Sequence, residues 1–362
     1  MRTSLHLPVR NNLNIILNKD LDVIDFRICT IYSVLFSILL FPLSACKNNA
    51  SAPDLSGIEA DVDLIRYEHL LFDLDTSNLK AELESLTDEH RDFSEVFFYQ
   101  IVFDPSYEEL VTPLKLFLSD SGIQHIYQVA STEFSDFGHY HSELEKTFQY
   151  LRYYLPQAPV PDVYTCVTGF EVGAFTIGPE IVGIGLEFFL GDAFPSYDPQ
   201  LFPVYIRKTM NKEHLVSKTV QALVEHYTGD VYGNRLIDYM IRNGKVLYVK
   251  KKLLPEADDL IIHEFDENQL DWIIKNEGQI WVYLLDQELL YDINYRKFQK
   301  LISPSPNVPG MPEQAPGRVG NWVGFRIVEA YMERNPDVTI QQLLNEEDSQ
   351  KILAESKYKP RL

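Results

Sequence analysis

The residues with the clearest chemical potential lie in the segment LVEHYTGD at positions 223–230. In the pattern H-E-x-x-H, two histidines on one helical face bind zinc, and the glutamate between them activates a metal-bound water. Glu225 matches this glutamate, but Val224 and Thr228 stand where the histidines belong. Asn243, the best match to a third ligand that is a glutamate in gluzincins, offers only an amide. The sequence therefore predicts a degenerate site without zinc or hydrolytic water, although spacing alone favours an ordinary helix.

Two other groups of residues could be considered as metal ligands. His139 and His141 flank a tyrosine and lie close to Glu143, but side chains two residues apart face different sides of a helix. A solvated polar stretch is the simpler interpretation of this group. The pair His263 and Glu264 begins a zinc-binding pattern, but the second histidine is missing. We therefore predict no metal site at either position.

Two single residues have expected structural roles. Cys166 lies in an apolar, β-prone run, where a lone cysteine is usually a small buried side chain and not a nucleophile. Arg318, in the run PGRVG, lies at the start of a predicted helix, where its positive charge opposes the helix dipole. We therefore expect a buried carboxylate to hold Arg318.

A different kind of chemistry is indicated at Cys46. Residues 31–45, IYSVLFSILLFPLSA, carry no charge and are typical of a signal-peptide core that is too short for a permanent membrane span. This run ends in Leu-Ser-Ala directly before Cys46, a lipobox at which cleavage would leave the cysteine as the first residue. We predict that residues 1–45 are a lipoprotein signal peptide and that Cys46 carries diacylglycerol and an N-acyl lipid. Several acyl chains anchor a protein firmly, so the membrane contact would be the lipid itself.

Charge and cysteine content restrict the remaining possibilities. The chain has 53 acidic and 32 basic residues and a formal net charge of −21. This balance excludes nucleic acid as an expected partner and disfavours unaided docking to anionic lipid surfaces. Only Cys46 and Cys166 would remain after cleavage, and because Cys46 would be acylated, no internal disulfide is expected.

The elements that would position these residues follow from hydrophobic periodicity. Apolar residues from Val62 to Ile65 predict a first strand, and Thr76 is a candidate cap for a following helix. A strong apolar stripe predicts a helix from Ser142. Between residues 163 and 189 the pattern changes to short β-prone runs broken by glycines, which predict a small antiparallel sheet.

Helical patterning returns in the second half of the chain. Residues 213–228 carry an apolar stripe, so Glu225 is expected on an amphipathic helix. Residues 266–269 form a capping-box pattern that begins a helix running to about Leu290. The Pro-rich tract 303–317 predicts a loop that leads into the helix near Arg318. This order predicts a mostly helical α+β protein.

Several long runs of residues together resemble one known family, the gliding-motility-associated lipoprotein GldB of Bacteroidetes. The resemblance extends from the lipobox to the carboxy terminus and is densest over residues 183–361. The runs are GIGLEFFLGDAFPSYDPQLFPVYIRKTM (183–210), LIDYMIRNGKVLYVKKKLLP (236–255), QLDWIIKNEGQIWVYLLDQELLY (269–291), PGRVGNWVGFRIVEAYM (316–332) and SKYKPR (356–361). The resemblance implies a cell-envelope lipoprotein needed for surface gliding, in organisms whose gliding machinery is linked to type IX secretion.

The same family resembles, more distantly, predicted zinc proteases with an intact H-E-x-x-H pattern. We therefore expect a zincin-like α+β architecture in one domain over residues 58–362, joined to Cys46 by a flexible tether over residues 46–57. No catalytic residue is carried over, because the chain departs from the protease pattern at positions 224, 228 and 243.

Three hypotheses for function follow from the sequence. The first is a lipid-anchored, non-catalytic scaffold or binding component of the gliding machinery. It would face the periplasm, contact other gliding or type IX secretion proteins of the envelope, and need no cofactor beyond its lipid. The second is an envelope zinc metallopeptidase with an unrecognised metal site. The third, a periplasmic solute-binding lipoprotein, is disfavoured because the chain lacks repeated strand-helix alternation.

Overall fold

The computed structural model describes residues 53–103 and 109–361. The predicted signal peptide, Cys46 and most of the predicted tether lie outside the described residues. The chain divides into two units, of which the second, residues 55–362, is compact. All helices and strands given below belong to the second unit.

The described part of the second unit is mostly helical and contains four short strands. The first strand and helices are β1 (Leu64–Arg66), α1 (Tyr67–Phe72), α2 (Leu79–Glu89), α3 (Arg91–Val96), which continues as a π-helix over Phe97–Val102, α4 (Val111–Ser119), α5 (Ser121–Glu133) and α6 (Gly138–Tyr154). The remaining strands are β2 (Asp162–Cys166), β3 (Ala174–Ile177) and β4 (Ile181–Gly185), followed by a 3-10 turn over Leu186–Phe189. The later helices are α7 (Val204–Arg207), α8 (Leu215–Thr228), which follows a 3-10 turn over Lys212–His214, α9 (Leu236–Leu253), α10 (Asp259–His263), α11 (Glu267–Asp286), α12 (Tyr295–Ile302), α13 (Val319–Arg334), α14 (Ile340–Asn345) and α15 (Ser349–Ser356).

The sheet is mixed, so the prediction of an antiparallel sheet was wrong in this detail. Its strand order is β1-β2-β4-β3, with β1, β2 and β4 parallel and only β3 antiparallel to β4. The sequence does indicate the short turn over residues 178–180, and a turn of this length joins β3 and β4 as an antiparallel hairpin. The parallel pairing of β1 with β2 joins residues 64–66 to residues 163–165, and no local pattern specifies a contact over that separation. The α+β class itself is confirmed.

The sheet separates two hydrophobic clusters. Along β2, Val163 belongs to the larger cluster, whereas Tyr164 and Cys166 belong to the smaller one. The alternation arises because successive strand residues point to opposite faces. The smaller cluster also contains Phe93 and Phe97 from the N-terminal helices, and the larger one contains the buried faces of α6, α8, α9, α11 and α13.

Most of the predicted helices are confirmed, with shifts at their ends. The predicted helix from Ser142 is α6, which begins four residues earlier at Gly138. Asp266 and Gln269 form the predicted capping box of α11, but the helix ends at Asp286 and not near Leu290. The residue that precedes α2 is Asn78, not Thr76.

Two glycines allow α9 and α13 to cross at very short distance. A Cβ atom added to Gly244 would collide with the backbone of Gly324, and one added to Gly324 would collide with the backbone of Met240. Only glycine can occupy such a close crossing, since any other side chain would force the helices apart. The crossing brings Asn243 on α9 next to Asn321 on α13.

Candidate functional site

A polar cleft of about 280 Å³ opens between α8, α9 and the start of α13. We refer to it as the central cleft. The loop after α10 and the end of α12 complete its walls. Its polar lining consists of Lys218, Gln221, Glu225, Asn243, His263, Glu264, Arg318 and Asn321, with the indole of Trp322 beside them.

The structure brings together only two of the four positions aligned with the zinc pattern. Glu225 and Asn243 line the central cleft. Val224 is 1% exposed and packs in the larger hydrophobic cluster. Thr228 is also buried, and its hydroxyl donates a hydrogen bond to the carbonyl of Val224 at 2.7 Å. The two positions that would carry histidines are therefore buried and do not line the cleft.

Glu225 and Asn243 already have polar partners. The amide of Gln221 donates to Glu225 at 3.0 Å, and Arg242 lies 3.7 Å from the same carboxylate oxygen. Asn243 donates its amide N–H to Asn321 at 2.9 Å. Among residues 53–103 and 109–361, no group of three or more His, Cys, Asp or Glu side chains is arranged to hold a metal ion. The residues at this place do not fit the zinc site of the intact pattern.

The most strongly connected carboxylate in the cleft is Glu264, directly after α10. Its backbone is left-handed (φ 56°), and its side chain is 8% exposed. Arg318 donates one guanidinium N–H to Glu264 Oε2 at 2.5 Å and another to the Glu264 carbonyl at 2.7 Å. Lys218 donates to Glu264 Oε1 at 3.1 Å. The prediction that a buried carboxylate holds Arg318 is confirmed.

Three cations surround this carboxylate. Burial alone would raise the pKa of the Glu264 carboxyl, but Lys218, Arg318 and Lys250 together hold that pKa well below its ordinary range. Lys250 is fully buried and donates to Gln221 Oε1 at 3.0 Å. Burial lowers the pKa of the Lys250 ammonium to about 8. The three cations around Glu264 therefore keep it as a carboxylate although it is buried.

His263 lines the cleft as a neutral ring without polar partners. It is buried and packs edge-on against Trp322 and Phe325, with ring centroids 4.9 Å and 4.7 Å away. Burial, together with the charges of Lys250 and Lys251, lowers the pKa of the His263 imidazole to about 3. Within the described part of the chain, neither ring nitrogen has a hydrogen-bond partner. Buried polar atoms without a partner are uncommon and often mark a place where a ligand or water binds.

The other candidates from the sequence lie away from the cleft. His139 and His141 are on α6, where a ring nitrogen of His141 lies 2.8 Å from the carbonyl of Val62. Cys166 is a free, fully buried cysteine, and burial raises the pKa of its thiol well above the ordinary value. The prediction of a small buried side chain at Cys166 is confirmed.

Four residues of this site could not be recognised together from the sequence: Lys218, Lys250, His263 and Glu264. They lie on three different helices and a loop, and their spacing along the chain matches no pattern. One signal was present at Lys250, which follows Val246 by four residues and therefore falls on the apolar face of its helix. A lysine at such a position requires a buried partner.

Comparison with known proteins identifies the family. The model of the family described as gliding motility protein GldB matches residues 48–360. No curated protein and no solved structure matches the chain, and the zincin-like architecture therefore stays a prediction. In the described ranges, no helix is both long and apolar enough to span a bilayer. Because the family match covers nearly the whole chain, the protein belongs to the GldB family of gliding motility proteins.

Proposed function

We propose that this GldB-family protein is a lipid-anchored, non-catalytic component of the gliding machinery in the cell envelope, which acts by binding other components. The observation that carries the non-catalytic part is the burial of Val224 and Thr228. The helix that bears Glu225 presents neither an imidazole nor a second carboxylate to a metal at these positions. Glu225 itself is engaged by Gln221 and Arg242, which further favours a structural role.

The anchoring part of the proposal is supported by the sequence before the described residues. The uncharged run 31–45 ends at a lipobox, and Cys46 is the proposed site of diacylglycerol and N-acyl attachment. The family name implies motility partners, and we propose other gliding or type IX secretion proteins on the periplasmic side. The acidic balance of the chain argues against nucleic acid.

The non-catalytic role is tested by complementation of a deletion strain. We expect the deletion to abolish gliding and both the wild-type gene and a Glu225→Ala variant to restore it, because no step depends on the Glu225 carboxylate. The matched control is Glu256→Ala, which removes an exposed carboxylate paired with Lys146. Stoichiometric zinc in the purified protein, with peptidase activity that Glu225→Gln abolishes, would instead establish the alternative function of an envelope metallopeptidase.

Anchoring and partners are tested in the same strain. Membranes are separated into inner and outer fractions, and crosslinking is started from the anchored protein. The proposal predicts recovery with a membrane fraction and crosslinks to other gliding or type IX secretion proteins. Recovery of the wild-type protein in the soluble fraction would refute the anchor.

A further inference from the structure

Strand β3 forms one edge of the sheet, and its outer side has unused hydrogen-bonding groups. It is the last strand in the order β1-β2-β4-β3 and pairs only with β4. The Gly185 N–H donates to the Gly173 carbonyl at 3.0 Å, and in an antiparallel pair, residues that exchange hydrogen bonds alternate with residues that do not. The main-chain groups of Ala174 and Thr176 therefore point away from β4. Within the described residues, nothing hydrogen-bonds to them.

This edge also lacks the features that usually protect an exposed strand. Native proteins block sheet edges with charged side chains, prolines, bulges or a covering element, because an open edge pairs readily with another chain. The four residues of β3 read Ala-Phe-Thr-Ile, and all of them are partly exposed. The strand thus carries neither a charge nor a proline, and it can accept a further extended segment.

A groove of about 260 Å³ lies beside the start of β3, and we refer to it as the edge groove. Phe175 and Ile177 pack in the smaller hydrophobic cluster, so the side chains of Ala174 and Thr176 point to the opposite face of the sheet. On that face, Ala174 lines the edge groove together with α8. The remaining wall is largely apolar and is formed by Phe188, Phe189, Phe202, Ile206 and Met210. An apolar side chain of an added strand would fit here, since cross-strand neighbours share a face.

The charges around β3 favour a basic segment over an acidic one. Glu171 precedes the strand by three residues and Glu180 lies in the turn that follows it, and both are exposed. Neither forms an ion pair within the part of the chain that the structure describes. Inside the edge groove, Lys218 lies with Glu225 and Glu264, so this lysine does not create an excess of positive charge. Complementary charge at the ends of a bound segment would fix its register and exclude acidic competitors.

We propose that β3 pairs with an extended segment of a partner protein, an apolar stretch flanked by basic residues. Its main chain bonds to Ala174 and Thr176, a large apolar side chain enters the edge groove, and its basic residues lie near Glu171 and Glu180. In this binding mode the main chain supplies affinity and the pockets for alternate side chains supply specificity. At roughly 3.3 Å per residue, a segment of about five residues covers the strand. Such pairing gives the binding of other components a specific contact and rests on that proposed function.

The test uses the full-length protein in a neutral detergent and the labelled model peptide acetyl-Lys-Val-Phe-Val-Lys-amide, followed by fluorescence anisotropy against a detergent blank. We expect saturable binding with a dissociation constant on the order of 0.1 mM. Replacing both lysines of the peptide with glutamate should weaken binding about tenfold. Methylating the three central nitrogens of the peptide removes its main-chain donors and should abolish binding. Equal binding of the methylated peptide, or no saturation with the lysine peptide, would overturn the proposal.

A matched pair of variants tests the same contact from the side of the protein. Thr176→Pro removes the outward N–H but leaves the β3–β4 ladder intact, since proline is tolerated on an edge strand where its nitrogen faces solvent. We expect it to bind the lysine peptide about tenfold more weakly, whereas Thr176→Val keeps the N–H and should bind like the wild type. Equal affinity of the two variants would refute pairing at β3.

A third variant does not depend on the fold tolerating proline. Changing both Glu171 and Glu180 to Gln should weaken binding of the lysine peptide and narrow its advantage over the glutamate peptide; an unchanged advantage would overturn the assigned ends. If the wild-type protein fails to bind the lysine peptide but still crosslinks to gliding proteins in the strain, pairing at β3 is wrong and the proposed function stands.

Discussion

Replacing Glu264 with glutamine should destabilise the protein far more than removing any surface carboxylate. The change leaves Lys218, Lys250 and Arg318 without their shared counter-charge. Breaking a buried ion pair by removing one partner typically costs about 3–5 kcal/mol. Arg318 and Lys218 are 17% and 29% exposed, so water screens part of the effect, and we expect about 3 kcal/mol. For a domain of this size, that loss lowers the melting temperature by roughly 5 °C.

The assay is thermal and urea-induced unfolding, compared with Glu256→Gln as a matched control. Glu256 is 77% exposed and forms a surface pair with Lys146, so its loss should cost less than about 1 kcal/mol. Because the folded-state pKa of Glu264 is depressed, its contribution is fully present above the ordinary carboxyl pKa and is lost as the pH falls through the folded value. The difference in free energy of unfolding between the wild type and Glu264→Gln should therefore stay constant from about pH 7 to pH 5 and become smaller in stronger acid. If Glu264→Gln and Glu256→Gln lowered the free energy of unfolding by the same amount, Glu264 would not be the shared counter-charge of a buried cluster.

Three further predictions concern a buried base, a helix crossing and the anchor. The folded-state pKa of His263 is about 3, whereas its unfolded value is near 6.5. The unfolded chain therefore binds the proton first as the pH falls, which destabilises the folded wild type. When the pH is lowered from 7 to 5, the free energy of unfolding measured in urea should fall by about 2 kcal/mol less in His263→Leu than in the wild type. Gly324→Ala should lower the free energy of unfolding by about 3 kcal/mol, because its Cβ would collide with the backbone of α9. The control Gly138→Ala, at the exposed start of α6, should be neutral within about 1 kcal/mol, and equal effects would contradict the crossing argument. Cys46→Ala should move the protein out of the membrane fraction and abolish labelling by a fatty-acid analogue; unchanged labelling would exclude lipidation at this residue.

The sequence predicted the helices well where one face of the helix meets the core. The stripe of α6 and the capping box of α11 are local features, since they involve contacts three or four residues apart. The ends were less accurate, as at Asp286, because several weak local preferences compete where a helix stops. The direction of the strands was not predictable, because β1 and β2 are joined by a long connection whose described residues form six α-helices and a π-helix.

The candidate site was predictable only in part. The residues around Glu225 were identified by their spacing. A buried carboxylate was correctly predicted for Arg318, because a positive charge at the start of a helix opposes the helix dipole and needs a partner. The identity of that carboxylate, Glu264, could not be read from the chain. In the sequence, His263 and Glu264 match only half of a zinc pattern.

By itself, the sequence determined the family, the acidic balance, the expected lipid site at Cys46 and the absence of histidine at positions 224 and 228. These properties depend on residue identity and on spacing within one segment. Tertiary structure alone decided which charges meet in the central cleft. The glycine crossing of α9 and α13 and the packing of α8 bring together Lys218, Lys250 and Glu264. Long-range contacts of this kind leave no periodic signal in the chain.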